Sequence, residues 1–290
     1  MKSKDVQDKT GLTRKAMEYY EDLGLVHPSR DENGYRHYSD EDISCLMQIN
    51  IYRKLGLNLL EIKKILMSRE EKKTISNIVR DLEIRREIDF KKLELLKQYT
   101  EEGSIDDIRS ELLFIEAQES IYIRLREKFP GYLGQMFFIN YMPFLQGKLE
   151  TEKQKKAYVE LVEFLDSMSN YPFTEEEKQT ILDSGDCMST DMIKTVVSAK
   201  ISAVQDVGKW MEDNEEAITH YQAFKQSDEY RALPIIQLYE KIKVYLQESG
   251  YYEVAIPLIR KMSPDYDAYY RQLMSANEKF LSRSTTELLE

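Results

Sequence analysis

Thr10-Gly11-Leu12-Thr13-Arg14, followed by Tyr19-Tyr20-Glu21-Asp22-Leu23-Gly24-Leu25, Gly34-Tyr35-Arg36-His37-Tyr38-Ser39 and Leu55-Gly56-Leu57, is the stretch on which the fold turns. Val6 to Lys9 reads as a short first helix, ended by Gly11, which supplies the left-handed residue a helix C-terminus favours. Thr13 then offers its hydroxyl to the free backbone N–H groups of a second helix. That helix opens with Arg14 and Lys15, continues through Tyr19 and Tyr20, and is ended by Gly24. Between Pro28 and Tyr38, Gly34 flanked by Asn33 and Tyr35 marks a tight hairpin, with Arg36 and Tyr38 projecting from the returning strand. Ser39-Asp40-Glu41-Asp42 caps a third helix running to about Lys54, and Asn58-Leu59-Leu60-Glu61 is a capping box for a fourth ending near Met67. Two helices, a hairpin and two more helices in this order predict a winged helix-turn-helix.

That architecture places one helix and one hairpin on a DNA duplex. Thr13, Arg14, Lys15, Tyr19 and Tyr20 gather cations and hydroxyls on a helix surface suited to a major groove. A competing structural reading makes Tyr19, Leu23 and Leu25 core residues, since aromatics at helical spacing are usually buried. Arg36, a lone cation beside a turn glycine, has no structural task in a hairpin and is expected at the DNA.

Residues from about Lys4 to Met67 resemble the DNA-binding domain of the MerR family of bacterial transcription regulators. The helix-turn-helix, the double Tyr, the Gly-Tyr-Arg-x-Tyr-Ser wing and the Leu-Gly-x-x-Leu-x-Glu-Ile helix start occur in order and at family-like spacing, over roughly a quarter of the chain. The resemblance implies phosphate and groove contacts by Arg14, Tyr20, Arg36 and Tyr38, with Lys15, Tyr19 and Arg53 as secondary contacts. It also implies a homodimer on double-stranded, palindromic promoter DNA, activating RNA polymerase by bending and untwisting an over-long spacer. Glu18 stands where the family usually has Arg, and Gln7 and Lys9 occupy sites that are usually small or apolar. A carboxylate beside a phosphate is repulsive, so Glu18 points either to an altered operator preference or to an intramolecular partner such as Arg14 at i−4.

Charge divides the chain. Residues 1–73 hold 14 Lys and Arg against 13 Asp and Glu, a net of +1, so the whole chain's −11 leaves −12 on residues 74–290. The basic groups of the first part must therefore be concentrated on one face, and the acidic remainder argues against DNA or anionic lipid as its partner. Cys45 and Cys187 give neither a disulfide framework nor metal-ligand spacing, which fits a reducing cytoplasm. Cys45, among Ile43, Leu46 and Ile49, reads as a buried thiol. The family's metal sensors carry cysteines at and beyond the end of the dimerisation helix, and none stands near Tyr99 to Asp107, so no metal site is expected. No run approaches the ~20 apolar residues of a membrane span, and no apolar signal follows the charged N-terminus.

After a polar linker, Ser68 to Lys73, the stretch from Thr74 to about Glu101 contains neither Pro nor Gly. Ile75, Val79, Leu82, Leu93 and Leu96 recur at three-then-four spacing that continues through Arg86 and Asp89, predicting an antiparallel coiled-coil helix with a polar middle. In the family the corresponding helix pairs with its twin; the alternative is a monomeric helix packed on its own C-terminal domain. The expected organisation is a DNA-binding domain over 1–73, a dimerisation helix over 74–103 and a helical effector-binding domain over 104–290. The chain is thus mainly α, with seven to nine helices in the last region, interrupted at Pro130-Gly131, Pro143, Gly185, Pro234 and Pro257.

The resemblance does not reach residues 104–290. Phe137, Phe138, Tyr141 and Phe144 cluster in sequence and Trp210 stands alone; a cavity lined by these rings, with a carboxylate, would suit a planar or cationic organic ligand, although helical cores also use such rings. His27, His37 and His220 are scattered, and no phosphate loop, nucleophile elbow or metal pair accompanies them, so neither an enzyme nor a cofactor is expected. Two rival readings of the last region remain, a protein-binding domain and, more weakly, a catalytic one. An exposed apolar patch would favour the first and a cleft with convergent perturbed ionisable groups the second.

Overall fold

The computed structural model describes residues 1–101, 104–145, 149–185 and 188–287, with backbone alone for Asp107, Ser110 and 283–287. The chain divides into two compact units, 1–78 and 79–290. In the first, helix α1 (Ser3–Thr10) ends on Gly11 at φ +70°, and α2 (Arg14–Asp22) is capped by Thr13, whose hydroxyl accepts from the Ala16 N–H at 3.2 Å. Strands β1 (Ser29–Arg30) and β2 (Arg36–His37) pair antiparallel, Ser29 opposite His37 and Arg30 opposite Arg36. Asp31 holds the turn between them by accepting from the Asn33 and Tyr35 N–H groups, and Gly34 takes φ +78°. The capping boxes Ser39/Asp42 and Asn58/Glu61 open α3 (Asp40–Lys54) and α4 (Leu59–Met67), as the sequence predicts. Val6, Met17, Val26, Ile43, Leu46, Ile49, Ile62 and Ile65 form the core of this unit.

The polar linker is shorter than expected. Helix α5 starts at Glu71 and runs to Glu101, so Glu71, Lys72 and Lys73 are helical. The Ser68 hydroxyl accepts from the Glu70 N–H and meets the Thr74 hydroxyl, and these local bonds start the helix before the charged run ends. Glu71, in its first turn, accepts from the Tyr52 hydroxyl; burial and this carboxylate push the Tyr52 pKa up to about 12.

Beyond Ser104, eleven α-helices appear among the described residues rather than seven to nine. These are α6 (Ile105–Lys128), α7 (Tyr132–Tyr141), α8 (Glu152–Ser167), α9 (Glu175–Gly185), α10 (Thr190–Gln205), α11 (Val207–Asp213), α12 (Glu215–Gln226), α13 (Asp228–Ala232), α14 (Pro234–Glu248), α15 (Ile256–Met262) and α16 (Pro264–Glu287). The surplus comes from short segments. Asp206 caps α11 and Ser227 caps α13, splitting stretches whose periodicity alone looks continuous. Pro257 lies in the first turn of α15, where its missing N–H costs little, and a π-helical turn (Tyr251–Ala255) leads directly into it. Thr174 and Glu177 exchange capping-box hydrogen bonds at the start of α9, and the Ser263 hydroxyl caps α16 by accepting from the Tyr266 N–H. Gly103, where the dimerisation segment is expected to end, lies outside the described residues.

Helices α6 and α7 fold back on each other around Pro130-Gly131, and α8 packs on α15. Gly134 makes the first crossing possible: a Cβ there would stand 2.7 Å from the carbonyl oxygens of Leu125 and Phe129. Helix α5 closes this core. Ile84, Ile88 and Leu95 are buried with Tyr122, Leu125 and Phe138, and the Asp81 carboxylate receives hydrogen bonds from the Tyr122 hydroxyl and the Arg126 guanidinium. The Tyr122 pKa is raised by burial and by that carboxylate, so the phenol stays a neutral donor.

Candidate nucleic-acid interface

Thr13, Arg14, Lys15 and Tyr19 form the exposed side of α2, Tyr19 being 51% exposed. Tyr20 is buried instead, 6% exposed. Tyr38 is 3% exposed, and its backbone carbonyl accepts from the N-terminal amine at 2.6 Å. The double Tyr therefore divides its labour along a 3.6-residue helix: adjacent residues face about 100° apart, so one ring serves the core and its neighbour the surface. Tyr20 and Tyr38, both expected from the resemblance to contact DNA, are buried in the free chain.

Arg36 has a structural task, contrary to the expectation from its place beside Gly34. Its guanidinium spans two carboxylates of α2, Nε to Glu21 at 2.5 Å and Nη1 to Glu18 at 2.9 Å. The pairing reaches both ways. Arg14 donates to Glu18 at 3.0 Å, the i−4 partner anticipated from sequence, and Arg30 donates to Glu21 at 2.8 Å. The hydrogen bond to Glu21 holds the Arg36 pKa above the usual arginine range against the opposing effect of burial. For Glu21, burial pulls the pKa up, but the bonds from Arg30 and Arg36 outweigh it and the carboxyl lies below its ordinary value. Three guanidiniums and two carboxylates thus form one chain of pairs that fastens the wing to the second helix.

Arg30 and Tyr35 are surface groups that the sequence reading passed over. Tyr35 is exposed at the wing tip, and the register that sets Arg30 opposite Arg36 puts both guanidiniums on Glu21. The signal was present: two arginines equidistant from a hairpin turn occupy paired positions and point to one face. Arg53 is exposed at the end of α3 and donates to the Leu57 carbonyl at 2.9 Å, bracing the turn into α4. Cys45 is half-buried, its thiol directed at the Leu25 carbonyl and its pKa raised by burial.

The aromatic residues expected around one ligand pocket are divided. Phe138 packs on Tyr122 at 4.9 Å, Phe137 on Phe129 at 4.7 Å and Phe144 on Tyr269 at 4.6 Å, while the Tyr141 hydroxyl meets that of Tyr251 at 2.8 Å. The void beside Tyr141 is about 10 Å³, too small for an organic ligand. Trp210 lies apart from these four, in a groove beside α16. Among the described residues no cluster of three or more His, Cys, Asp or Glu is arranged to hold a metal ion, and Cys187 lies outside them. No helix among the described residues is long and apolar enough to cross a membrane.

Residues 1–68 match the model of the MerR HTH family of regulatory proteins. The transcriptional regulator HmrR of Rhizobium leguminosarum bv. viciae is 37% identical over 78 residues, 27% of this chain and 60% of that protein. The regulator CueR of Escherichia coli O6:H1 is 35% identical over 111 residues, 38% of this chain and 74% of that protein. The chain belongs to the MerR HTH family. The transcriptional activator TipA of Streptomyces coelicolor is 44% identical over 57 residues, 22% of that protein. The chain spans 60% of HmrR and 45% of the Salmonella typhi CueR it also matches. No solved structure matches it. As a MerR-family member the chain carries an N-terminal helix-turn-helix with a small β-hairpin wing, the long helix α5 and an all-helical C-terminal region.

Proposed function

We propose that the chain is a dimeric, cytoplasmic transcription regulator that binds promoter DNA through α2 and the wing, and that residues 104–290 form a non-catalytic, effector-binding domain. In this reading Thr13, Arg14, Lys15, Tyr19 and Arg36, with Arg30 and Tyr35, meet the duplex. RNA polymerase is engaged at the same promoter, and effector binding favours the DNA-distorting form.

One observation carries the dimer. Helix α5 has two apolar faces on opposite sides: Ile84, Ile88 and Leu95 enter the core, while Val79, Phe90, Leu93 and Leu96 remain in solvent, Phe90 at 57%, Leu93 at 48% and Leu96 at 60% exposed. The exposed face includes Val79, Leu93 and Leu96 of the predicted seam, and the alternative of a helix packed on its own C-terminal domain accounts for only the other face. At 31 residues the helix is roughly 46 Å long, ample for pairing with a twin. Replacing Leu93 with Glu should yield a monomer by sedimentation while leaving the helical circular dichroism intact. A Leu93→Glu chain that sediments like its parent would place the interface elsewhere.

A further inference from the structure

Helices α10, α11 and α16 leave an open groove of about 390 Å³ between them, lined by Ala203, Val204, Val207, Trp210, Leu273 and Phe280 among others. This volume lies within the range of small-molecule sites. The wall is almost wholly apolar, and the polar groups at its edge are Asn277 and one cation, Lys200. The region 74–290 is strongly acidic, yet among the described residues no carboxylate pairs with Lys200. The groove wall beside it lowers its pKa by partial desolvation, although the side chain stays exposed. Lys200 is exposed on the lining of an otherwise apolar groove, so an anion delivered with a hydrocarbon body would meet the ammonium and the apolar wall together.

We propose that this groove binds an amphipathic organic monocarboxylate, its apolar body on Val204, Val207, Leu273 and Phe280 and its carboxylate on Lys200. The sign of charge is the reverse of the cation-over-rings site expected from sequence. The cation is contributed by the protein, and four of the five rings expected to receive a ligand are committed to packing in the core. Asn277 offers an amide to the same carboxylate. The regulatory meaning of the site rests on the effector-domain reading above, whereas occupancy of the groove can be measured without it.

Trp210 is the only tryptophan in the chain and lines the groove, so its emission reports occupancy directly. The full-length protein is titrated with decanoate, decanol and decyltrimethylammonium, each below its micellar concentration. Decanoate should give a saturable change in Trp210 emission, decanol a weaker one and the ammonium none. Lys200→Met should weaken decanoate roughly ten-fold, the scale of one charge-assisted hydrogen bond, and leave decanol unchanged. Lys200→Glu should transfer the preference to decyltrimethylammonium. Absence of saturable decanoate binding, or equal decanoate affinity in Lys200→Met, overturns the proposal. So does a Val204→Asp variant that splits the native oligomer while the parent ignores decanoate, since a second copy would then occupy the groove. Decanoate binding that leaves promoter DNA binding and transcription unchanged upholds the site and removes the effector reading of the domain.

Discussion

Glu18 is the residue whose replacement most directly tests how the wing and α2 meet DNA. It holds Arg14 and Arg36 together, and Arg36 keeps Glu21 when Glu18 is lost. The folding cost of Glu18→Gln should therefore be small. The Arg14 pair is largely exposed, and an exposed pair contributes about 0–1 kcal/mol. On the duplex the balance changes, because a carboxylate between two guanidiniums cancels part of the positive charge available to phosphates. Its removal adds about one unit of positive charge to the contact, which steepens the slope of log affinity against log salt by ~0.9. Over a four-fold change in salt, that slope alone makes the variant's advantage roughly 3.5-fold larger at the low-salt end. Fluorescence anisotropy with a labelled duplex, titrated with salt for parent and variant, measures both slopes. Parallel slopes, or a flatter one for Glu18→Gln, would show that Arg14 and Arg36 are not the groups facing phosphate.

Gly134→Ala should lower stability by about 1–3 kcal/mol, because its Cβ meets the backbone carbonyls of Leu125 in α6 and of Phe129 just beyond it, which cannot yield as a flexible side chain would. An unchanged denaturation midpoint would show that α6 and α7 cross less closely. The wing pairs should also give the protein an acid dependence. The Glu21 carboxyl is depressed below its ordinary value of 4.5, so its contribution is fully present above that value and lost as pH falls through the lower folded pKa. Glu21→Gln should flatten the fall of Tm with pH below about 4.5 and leave the shape of the curve above it unchanged. Curves of the same shape for parent and variant throughout would exclude Glu21 as a source of acid sensitivity.

Local chemistry was readable without the fold. Thr13, Ser39 and Asn58 announced helix starts because a cap is a contract among four consecutive residues, and Gly11 and Gly34 marked positions where the backbone turns left-handed. The order of these signals sufficed for the winged helix-turn-helix, and the run without Pro or Gly from Thr74 sufficed for α5. What a residue faces is a different matter, because it depends on segments distant in sequence. Arg36 reads as free in sequence, yet Glu18 and Glu21 stand across from it, and the burial of Tyr20 and Tyr38 is set by the way the first unit closes over them. Along α5 a single seam was legible, but a second, opposite apolar face became evident only once the helices that bury Ile84 and Ile88 were in place. The same holds for Lys200: helical spacing says nothing of a cation's neighbours, and only the meeting of α10, α11 and α16 sets it on an apolar groove with no carboxylate paired to it among the described residues.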